Sequence, residues 1–225
     1  FLSCHTLVED SFPAVERKPI LNAVLQANSL IKVHISFPER LDGYSPVAIA
    51  NALVTLTASE GWEETLAYLG DGWYVASHLG KEGVTYACNV LVPGFELTTA
   101  STTIPYPTTI HNLRFTKHAG HTEEGDLVSS IHFTILNNPQ ENLFWELYFW
   151  EERKANEYWD ASWDNSEIYM IAGQDKVLLN EAYPLTVFSN EIMNASYELS
   201  FYFSENFVQV DNLNDFHIEL RSVNK

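Results

Sequence analysis

Three histidines in the second half of the chain form its densest group of side chains that could bind a metal. His111, His118 and His121 are followed closely by the carboxylate of Glu123. Imidazole nitrogens and carboxylate oxygens are common zinc ligands. The spacing of these histidines fits no short zinc motif, and His111 falls in a predicted strand. We therefore interpret residues 117–126 as a polar loop and predict no metal site.

Two acidic groups could supply oxygen ligands to calcium. They are Asp160, Asp164 and Glu167, and Asp211, Asn214 and Asp215. Neither group has the Asp-x-Asp-x-Asp-Gly order of a calcium loop. We interpret both as solvated loops of an acidic protein, whose charge favours solubility, and we expect no cofactor of any kind.

Nucleophilic catalysis has little support in the sequence. There is no Gly-x-Ser-x-Gly elbow, and Cys88 lies in an apolar strand pattern, which predicts a small buried residue and disfavours the reactive thiolate. Paired carboxylates for hydrolysis are an alternative, because an acidic chain offers many pairs and their separation cannot be read from sequence. We predict a protein without enzymatic activity, and a hydrolase with an unrecognised carboxylate site is an alternative.

An aromatic cluster marks a candidate binding region. Tyr158, Trp159 and Trp163 lie in a polar segment, residues 151–166, between two predicted strands. Tryptophan and tyrosine are enriched where proteins contact partners, and long loops on a β scaffold often carry binding residues. We predict that these three residues contact a ligand or a partner. The alternative is that one or both tryptophans fold into the core.

Composition excludes several kinds of partner. The chain has 12 Lys and Arg against 30 Asp and Glu, a formal charge of −18, so a nucleic acid backbone would be repelled. No basic cluster is present to attract anionic lipids, and no apolar run is long enough for a transmembrane helix. Any membrane attachment is therefore expected to be covalent.

The beginning of the chain predicts such an attachment. Residues 1–4 read Phe-Leu-Ser-Cys, which resembles the end of a bacterial lipoprotein signal peptide, and Cys4 would then be the lipidated first residue of the mature protein. Residues 5–18 are acidic, contain Pro13, and follow no sustained period, as a tether would. The alternative is an ordinary cysteine near a chain end. With only two cysteines, no disulfide framework is expected.

Strand signals recur from residue 19 onward, and no helical period is sustained, so the predicted class is all-β. In the first half, the predicted strands cover residues 20–25, 31–37, 52–57, 66–69, 73–76, 84–92 and 95–103. Seven short strands in this length predict an immunoglobulin-like or transthyretin-like β-sandwich over residues 19–105.

Pro105 and Pro107 predict the domain boundary, because prolines two residues apart favour an extended linker. A second β-sandwich-like domain is expected over residues 106–225, and we expect the natural domain to continue past Lys225. Its predicted strands cover residues 110–116, 127–136, 143–150, 167–171, 185–188, 196–203 and 216–223.

The order of these features resembles a family of Bacteroidota lipoproteins, the domain-of-unknown-function 4249 family. The segments that carry the resemblance are the acidic tether after Cys4, IANALVTL at 49–56, GWY at 72–74, GVTY at 83–86, ASTTIP at 100–105 and VFSNEI at 187–192. The resemblance covers nearly the whole chain. Ala195 departs from it, because the family pattern usually has glycine there.

The resemblance implies an outer-membrane lipoprotein that accompanies a TonB-dependent transporter, with an immunoglobulin-like or carboxypeptidase-regulatory-like N-terminal domain and no catalytic residues. From it we predict a non-enzymatic accessory or binding subunit of such a transporter, on either the periplasmic or the cell-surface side. The alternative of the same binding class is a glycan- or nutrient-binding lipoprotein that works alone.

Overall fold

The computed structural model describes residues 17–38, 46–152, 165–167, 170–171, 175–180, 183–184, 187–206 and 216–224. Their regular structure consists of strands, and the prediction of an all-β chain is confirmed. Within these ranges no helix long and apolar enough to cross a membrane is found.

Contacts between backbone positions divide the chain into two compact units, Phe1–Thr102 and Thr103–Lys225. The sequence places the boundary slightly later, at Pro105 and Pro107. Each unit builds its own sheets.

The described residues of unit 1 form two sheets. Its strands are β1 (Ile20–Ala23), β2 (Leu30–Phe37), β3 (Val47–Ala48), β4 (Leu53–Ala58), β5 (Glu63–Thr65), β6 (Ala67–Gly70), β7 (Trp73–Leu79), β8 (Thr85–Leu91) and β9 (Thr98–Thr103). The first sheet has the order β1-β2-β7-β6, with β3 also paired to β2, and the second has the order β5-β4-β8-β9. The strand pairs with a defined register are antiparallel.

The core of unit 1 follows from strict alternation along its central strands. Every second residue is buried, because successive side chains of a strand point to opposite faces. The buried sets are Ile31, Val33 and Ile35 of β2, Val54, Leu56 and Ala58 of β4, and Tyr86, Cys88 and Val90 of β8. The prediction that Cys88 is a buried strand residue is confirmed.

In unit 2 the residues that the structure describes form three sheets. Its strands are β10 (Ile110–His121), β11 (Leu127–Leu136), β12 (Phe144–Glu152), β13 (Asn165–Glu167), β14 (Leu179–Asn180), β15 (Tyr183–Pro184), β16 (Val187–Ser189), β17 (Ser196–Ser204) and β18 (Phe216–Val223). One sheet has the order β10-β11-β17, a second has β13-β12-β16 with β18 also on β12, and β14 pairs with β15.

Aromatic rings fill the core of unit 2. The ring of Phe149 on β12 lies 5.1 Å from those of Phe201 and Phe203 on β17 and 5.2 Å from that of Phe216 on β18, centroid to centroid. Trp145 is fully buried on the same strand. These contacts join strands of two different sheets, and tilted aromatic pairs add to the energy of simple burial.

The loop predicted over residues 117–126 is wrong in its first half, because β10 continues to His121. The register of β10 against β11 shifts twice, and Asn112 and His118 in these bulges have positive φ. β10 is an edge strand exposed along most of its length. Such a strand needs no alternation of polar and apolar residues, which is why the pattern did not predict its end.

Candidate functional site

The outer face of the first sheet of unit 1 carries exposed large apolar side chains on neighbouring strands. The buried set of β2 leaves Leu30, Lys32 and His34 on the other side of the strand. His34 pairs in register with Asn22 of β1 and with Trp73 of β7. One row of side chains therefore crosses three strands.

A groove runs beside this row. Its volume of about 500 Å³ is within the range of ligand sites in proteins. Its lining includes Asn22, Val24, Leu30, Lys32 and Trp73. Val24 is 93% exposed, Leu30 48% and Trp73 42%. We call the surface formed by Asn22, Val24, Leu30, Lys32, His34 and Trp73 the Trp73 face.

The turn before Trp73 fixes its position. Gly70, Asp71 and Gly72 all have positive φ, which glycine adopts without strain. A Cβ at Gly72 would lie 2.6 Å from the carbonyl oxygen of Ile35, and the amide of Ile35 donates a 2.8 Å hydrogen bond to the carbonyl of Gly72. Only glycine allows this close approach between the turn and β2.

His34 supports Trp73 from the side. Its Nε2 donates to the carbonyl of Asp71 at 3.1 Å, and its ring centroid lies 4.9 Å from that of Trp73. The indole is therefore held against β2 while much of it stays accessible. A preorganised aromatic surface loses little conformational entropy when it binds.

Tyr74 anchors β7, the strand that carries Trp73, on its inner face. Its hydroxyl donates to the carbonyl of Ile49 at 2.9 Å and accepts from the amide of Ala52 at 3.0 Å. Burial of Tyr74 raises the pKa of its hydroxyl. A second tyrosine, Tyr86, accepts a hydrogen bond from the amide of Lys81 at 3.0 Å.

Residues 7–225 match the family described as Domain of unknown function (DUF4249). The chain belongs to this family. No curated protein matches the sequence. The bonds of Tyr74 and Tyr86 give a structural reason for three segments that carried the resemblance, since they fix the residues around Ile49 and Ala52, the GWY turn and the GVTY strand.

The binding residues predicted from sequence lie elsewhere in this DUF4249 chain. Cys4, Tyr158, Trp159 and Trp163 are outside the described residues. The same holds for the side chains of both predicted calcium groups: Asp160, Asp164, Glu167, Asp211, Asn214 and Asp215. These predictions stay predictions.

The three histidines of β10 do not come together as a group that could hold a metal ion. Within the described ranges, no three His, Cys, Asp or Glu side chains come together to hold an ion. His118 instead lies at a bulge, where its backbone amide donates to Glu205 at 2.9 Å and its Nε2 lies 3.7 Å from the same carboxylate. Ser129 also donates to Glu205, at 2.6 Å. This carboxylate fixes the bulge of β10 to the end of β17.

A second row of aromatic rings lies in unit 2 of the DUF4249 chain. The guanidinium of Arg221 lies 4.0 Å from the ring centroid of Tyr148, and the imidazole of His217 stacks on Trp150 at 5.4 Å. These rings are partly buried and their faces contact neighbouring side chains. Trp73 is more exposed than either ring, and we therefore take the Trp73 face as the candidate site.

Sequence reasoning noted the GWY segment without assigning it a binding role. The signal was present, because residues of one strand alternate between faces. If Tyr74 is buried, Trp73 must point outward, and an outward tryptophan on a rigid sheet is a binding candidate. What the sequence could not supply was which of the two aromatic residues points inward.

Proposed function

We propose that this DUF4249 protein acts by binding, as a non-enzymatic accessory subunit of a TonB-dependent outer-membrane transporter, and that the Trp73 face contacts the transporter. The observation that supports this most is the exposure of Trp73 and Leu30 on one sheet face, with the exposed Val24 beside them just after β1. Contiguous exposed apolar surface often marks a protein interface. Tryptophan is the residue most enriched among those that dominate binding energy.

The charge of the Trp73 face fits the centre of an interface. Of the described residues that line its groove, Lys32 alone is charged, in a chain with 42 charged residues in total, 12 basic and 30 acidic. Charged side chains are depleted at interface centres because they lose hydration on binding. A partner surface that is apolar, with an acidic or neutral group facing Lys32, would complement it.

Affinity purification of the protein from native membranes, with mass spectrometry of co-purified proteins, tests this proposal. Trp73→Ala and Leu30→Ala are expected to lower recovery of the transporter, since loss of a dominant residue costs about 2 kcal/mol or more, roughly thirtyfold in affinity. Leu53→Ala is the matched control, because Leu53 is 52% exposed and lies on the other sheet of unit 1. Recovery of a monomer without a transporter would contradict the proposal.

The lipid anchor is a separate part of the proposal. We infer that Cys4 carries the lipid and that the protein is held at the outer membrane through it. Expression from the native gene with an alkyne-labelled fatty acid should label the wild type and Cys88→Ser, and should not label Cys4→Ser. Equal labelling of both variants would show that another residue carries the lipid. The buried Cys88 provides the matched control.

We also propose that unit 1 is an immunoglobulin-like or transthyretin-like β-sandwich and that unit 2 is a second β-sandwich-like domain. The first proposal is supported by the two antiparallel sheets of short strands in unit 1, whose buried residues come from both. An experimental structure would decide the arrangement of the sheets.

Saccharide binding is the second candidate function, and the composition of the same face favours it. The exposed indole of Trp73 offers a flat ring for stacking, while the Asn22 amide and the Lys32 ammonium in the same groove offer hydrogen-bond donors to hydroxyl groups. Affinity electrophoresis in gels containing polysaccharides would test it. Retardation of the wild type, and not of Trp73→Ala, would support a glycan-binding protein. Equal migration of the two would remove this candidate.

A further inference from the structure

A cleft separates the two edge strands β1 and β9 on one side of unit 1. Its volume is about 260 Å³, larger than an engineered apolar cavity of about 150 Å³ that binds benzene. The deepest side chains are Val33 of β2, Leu56 of β4, and Tyr86 and Cys88 of β8, which are all at most 6% exposed. The cleft therefore reaches the interior between the two sheets.

Short side chains keep this cleft open. Its walls include Ala23 of β1 and Ala100 and Ser101 of β9, and neither alanine nor serine can extend across the gap. The longer side chains in the same lining are Leu21, Asn22, Leu25 and Thr102. Protein interiors are otherwise packed with few voids larger than a water molecule. Larger residues at these positions would close the space between the edge strands.

One buried polar group, the thiol of Cys88, faces the cleft. Cys88 lines the cleft, is only 6% exposed, and makes no hydrogen bond to any residue that the structure describes. Burial raises its pKa to about 11, so the sulfur stays a neutral, polarisable thiol at physiological pH. Such a group favours contact with apolar and aromatic atoms.

The lining also defines the charge of a suitable ligand. Among the residues that the structure describes, no Lys, Arg, His, Asp or Glu lines the cleft, although the chain has 42 residues of Lys, Arg, Asp and Glu in total, 12 basic and 30 acidic. A charged group would lose its hydration there without gaining a partner. The net charge of −18 would further repel anionic amphiphiles such as fatty acids.

From this geometry we propose that the cleft between β1 and β9 is a binding site for one compact, uncharged, apolar molecule, of the size of a substituted aromatic ring or a short alkyl chain, which contacts the thiol of Cys88. The cleft lies next to the Trp73 face, because Asn22 of β1 lines both. It gives the protein a small-molecule ligand in addition to any protein partner.

Fluorobenzene is a suitable probe, because it is neutral and compact and its binding is measured directly by ¹⁹F NMR. The wild type should bind it saturably. Cys88→Met should lose this binding, because the longer side chain occupies the cleft, whereas Cys88→Ala should keep it. Ala87→Met, which adds the same side chain to the opposite face of β8, is the matched control and should bind like the wild type.

Alkylation of Cys88 gives a second measurement that does not depend on the folding of Cys88→Met. In a Cys4→Ser background Cys88 is the single thiol, and fluorobenzene at about ten times its dissociation constant should slow its reaction with N-ethylmaleimide roughly tenfold. Absence of fluorobenzene binding to the wild type, or an alkylation rate that does not change at saturation, would overturn the proposal. Equal binding to wild type and folded Cys88→Met would also overturn it, since the probe would then lie elsewhere.

Discussion

Buried polar side chains of unit 2 such as Asp175 and Asn190 hold loops in place. Asp175 is 7% exposed, and it accepts hydrogen bonds from the amides of Val177 and Ser200 and from the hydroxyl of Tyr197. Burial, together with this carboxylate, raises the pKa of Tyr197 to about 12. In the described part of the chain, no buried side-chain nitrogen or oxygen lacks a partner, as expected since an unpaired buried polar group is costly.

Asn190 provides the clearest test at this scale. Its Nδ2 donates to Asn137 Oδ1 at 2.9 Å and to the carbonyl of Glu141 at 2.8 Å, and its Oδ1 accepts from the amide of Leu143 at 3.1 Å. Asn190→Ala leaves these groups unpaired, and we expect the free energy of unfolding to fall by about 3 kcal/mol. Urea unfolding measures this change.

The control for Asn190 is its exposed neighbour. Glu191→Ala should change the free energy of unfolding by less than about 0.5 kcal/mol. Similar values for the two variants would show that the amide of Asn190 does not fix the loop. The position belongs to the VFSNEI segment that carried the family resemblance, and its bonds give that segment a structural role.

The lowered pKa of Glu205 predicts that the stability of the protein depends on pH. Burial raises the pKa of Glu205, but hydrogen bonds from the Ser129 hydroxyl and the His118 amide outweigh it, so the pKa lies below the ordinary value of 4.5. The carboxylate of Glu205 therefore contributes its full stability above the pKa that Glu205 has in the unfolded chain. This contribution is lost as the pH falls through the lower pKa that Glu205 has in the folded protein. We expect Glu205→Gln to destabilise the protein by about 1–2 kcal/mol at pH 7.

Free energies of unfolding at pH 7 and in mild acid test this prediction. The difference between wild type and Glu205→Gln should shrink as the pH is lowered below about 4.5, because protonation of Glu205 removes the same charge. Glu124 is exposed in the neighbouring turn, and Glu124→Gln is expected to have the same free energy of unfolding as the wild type at both pH values. A difference that does not depend on pH would contradict the role of the carboxylate charge.

At the scale of elements, strand β7 joins the Trp73 face to the core. Trp73 points outward from it, while Tyr74 is 2% exposed and bonds to Ile49 and Ala52. The turn formed by Gly70, Asp71 and Gly72 sets where the strand begins. A change in this turn should therefore affect both stability and binding.

Alanine substitutions at two glycines with similar backbone conformations distinguish the cost of backbone strain from the cost of a steric clash. Gly72 has φ +79° and Gly94 has φ +85°, but an added Cβ meets backbone only at Gly72 and open space at Gly94. Gly94→Ala should cost about 1–2 kcal/mol, the strain of the left-handed conformation. Gly72→Ala should cost about 3–5 kcal/mol, because displacement of β2 is added. Equal costs in urea unfolding would show that the turn tolerates the clash.

The sequence predicted the long strands well, because burial of one face imposes alternation. The predicted limits of β11 and β18, residues 127–136 and 216–223, agree with the structure. The short strands β3 (Val47–Ala48) and β5 (Glu63–Thr65) were not predicted. Two or three residues are too few to show a period, and their pairing is set by the neighbouring strands.

The candidate sites were harder to predict, for a different reason. The Trp73 face depends on the register that brings Asn22, His34 and Trp73 into one row, and register between distant strands is not encoded in any local pattern. The cleft depends on the gap between β1 and β9, which no single segment determines. Cys88 was predicted to be buried, and its position at the bottom of an open cleft follows only from the arrangement of both sheets.

At the scale of the whole molecule, excess negative charge opposes folding. The 18 uncompensated negative charges repel one another more strongly in the compact state. Ion pairs offset part of this, but pairs such as Glu60 with Lys81 and Arg114 with Glu198 are exposed and each contributes at most about 1 kcal/mol. Repulsion should therefore outweigh attraction.

Salt should consequently stabilise this protein. Raising sodium chloride from 0.01 M to 1 M shortens the screening length from about 30 Å to about 3 Å, which removes long-range repulsion while weakening a few surface pairs. We expect the melting temperature to rise by several degrees, which corresponds to an increase of roughly 1–2 kcal/mol in the free energy of unfolding. Glu124→Lys, which lowers the excess negative charge by two at an exposed turn position, should raise the melting temperature in low salt and reduce its dependence on salt. A melting temperature that falls with salt would show that the ion pairs dominate.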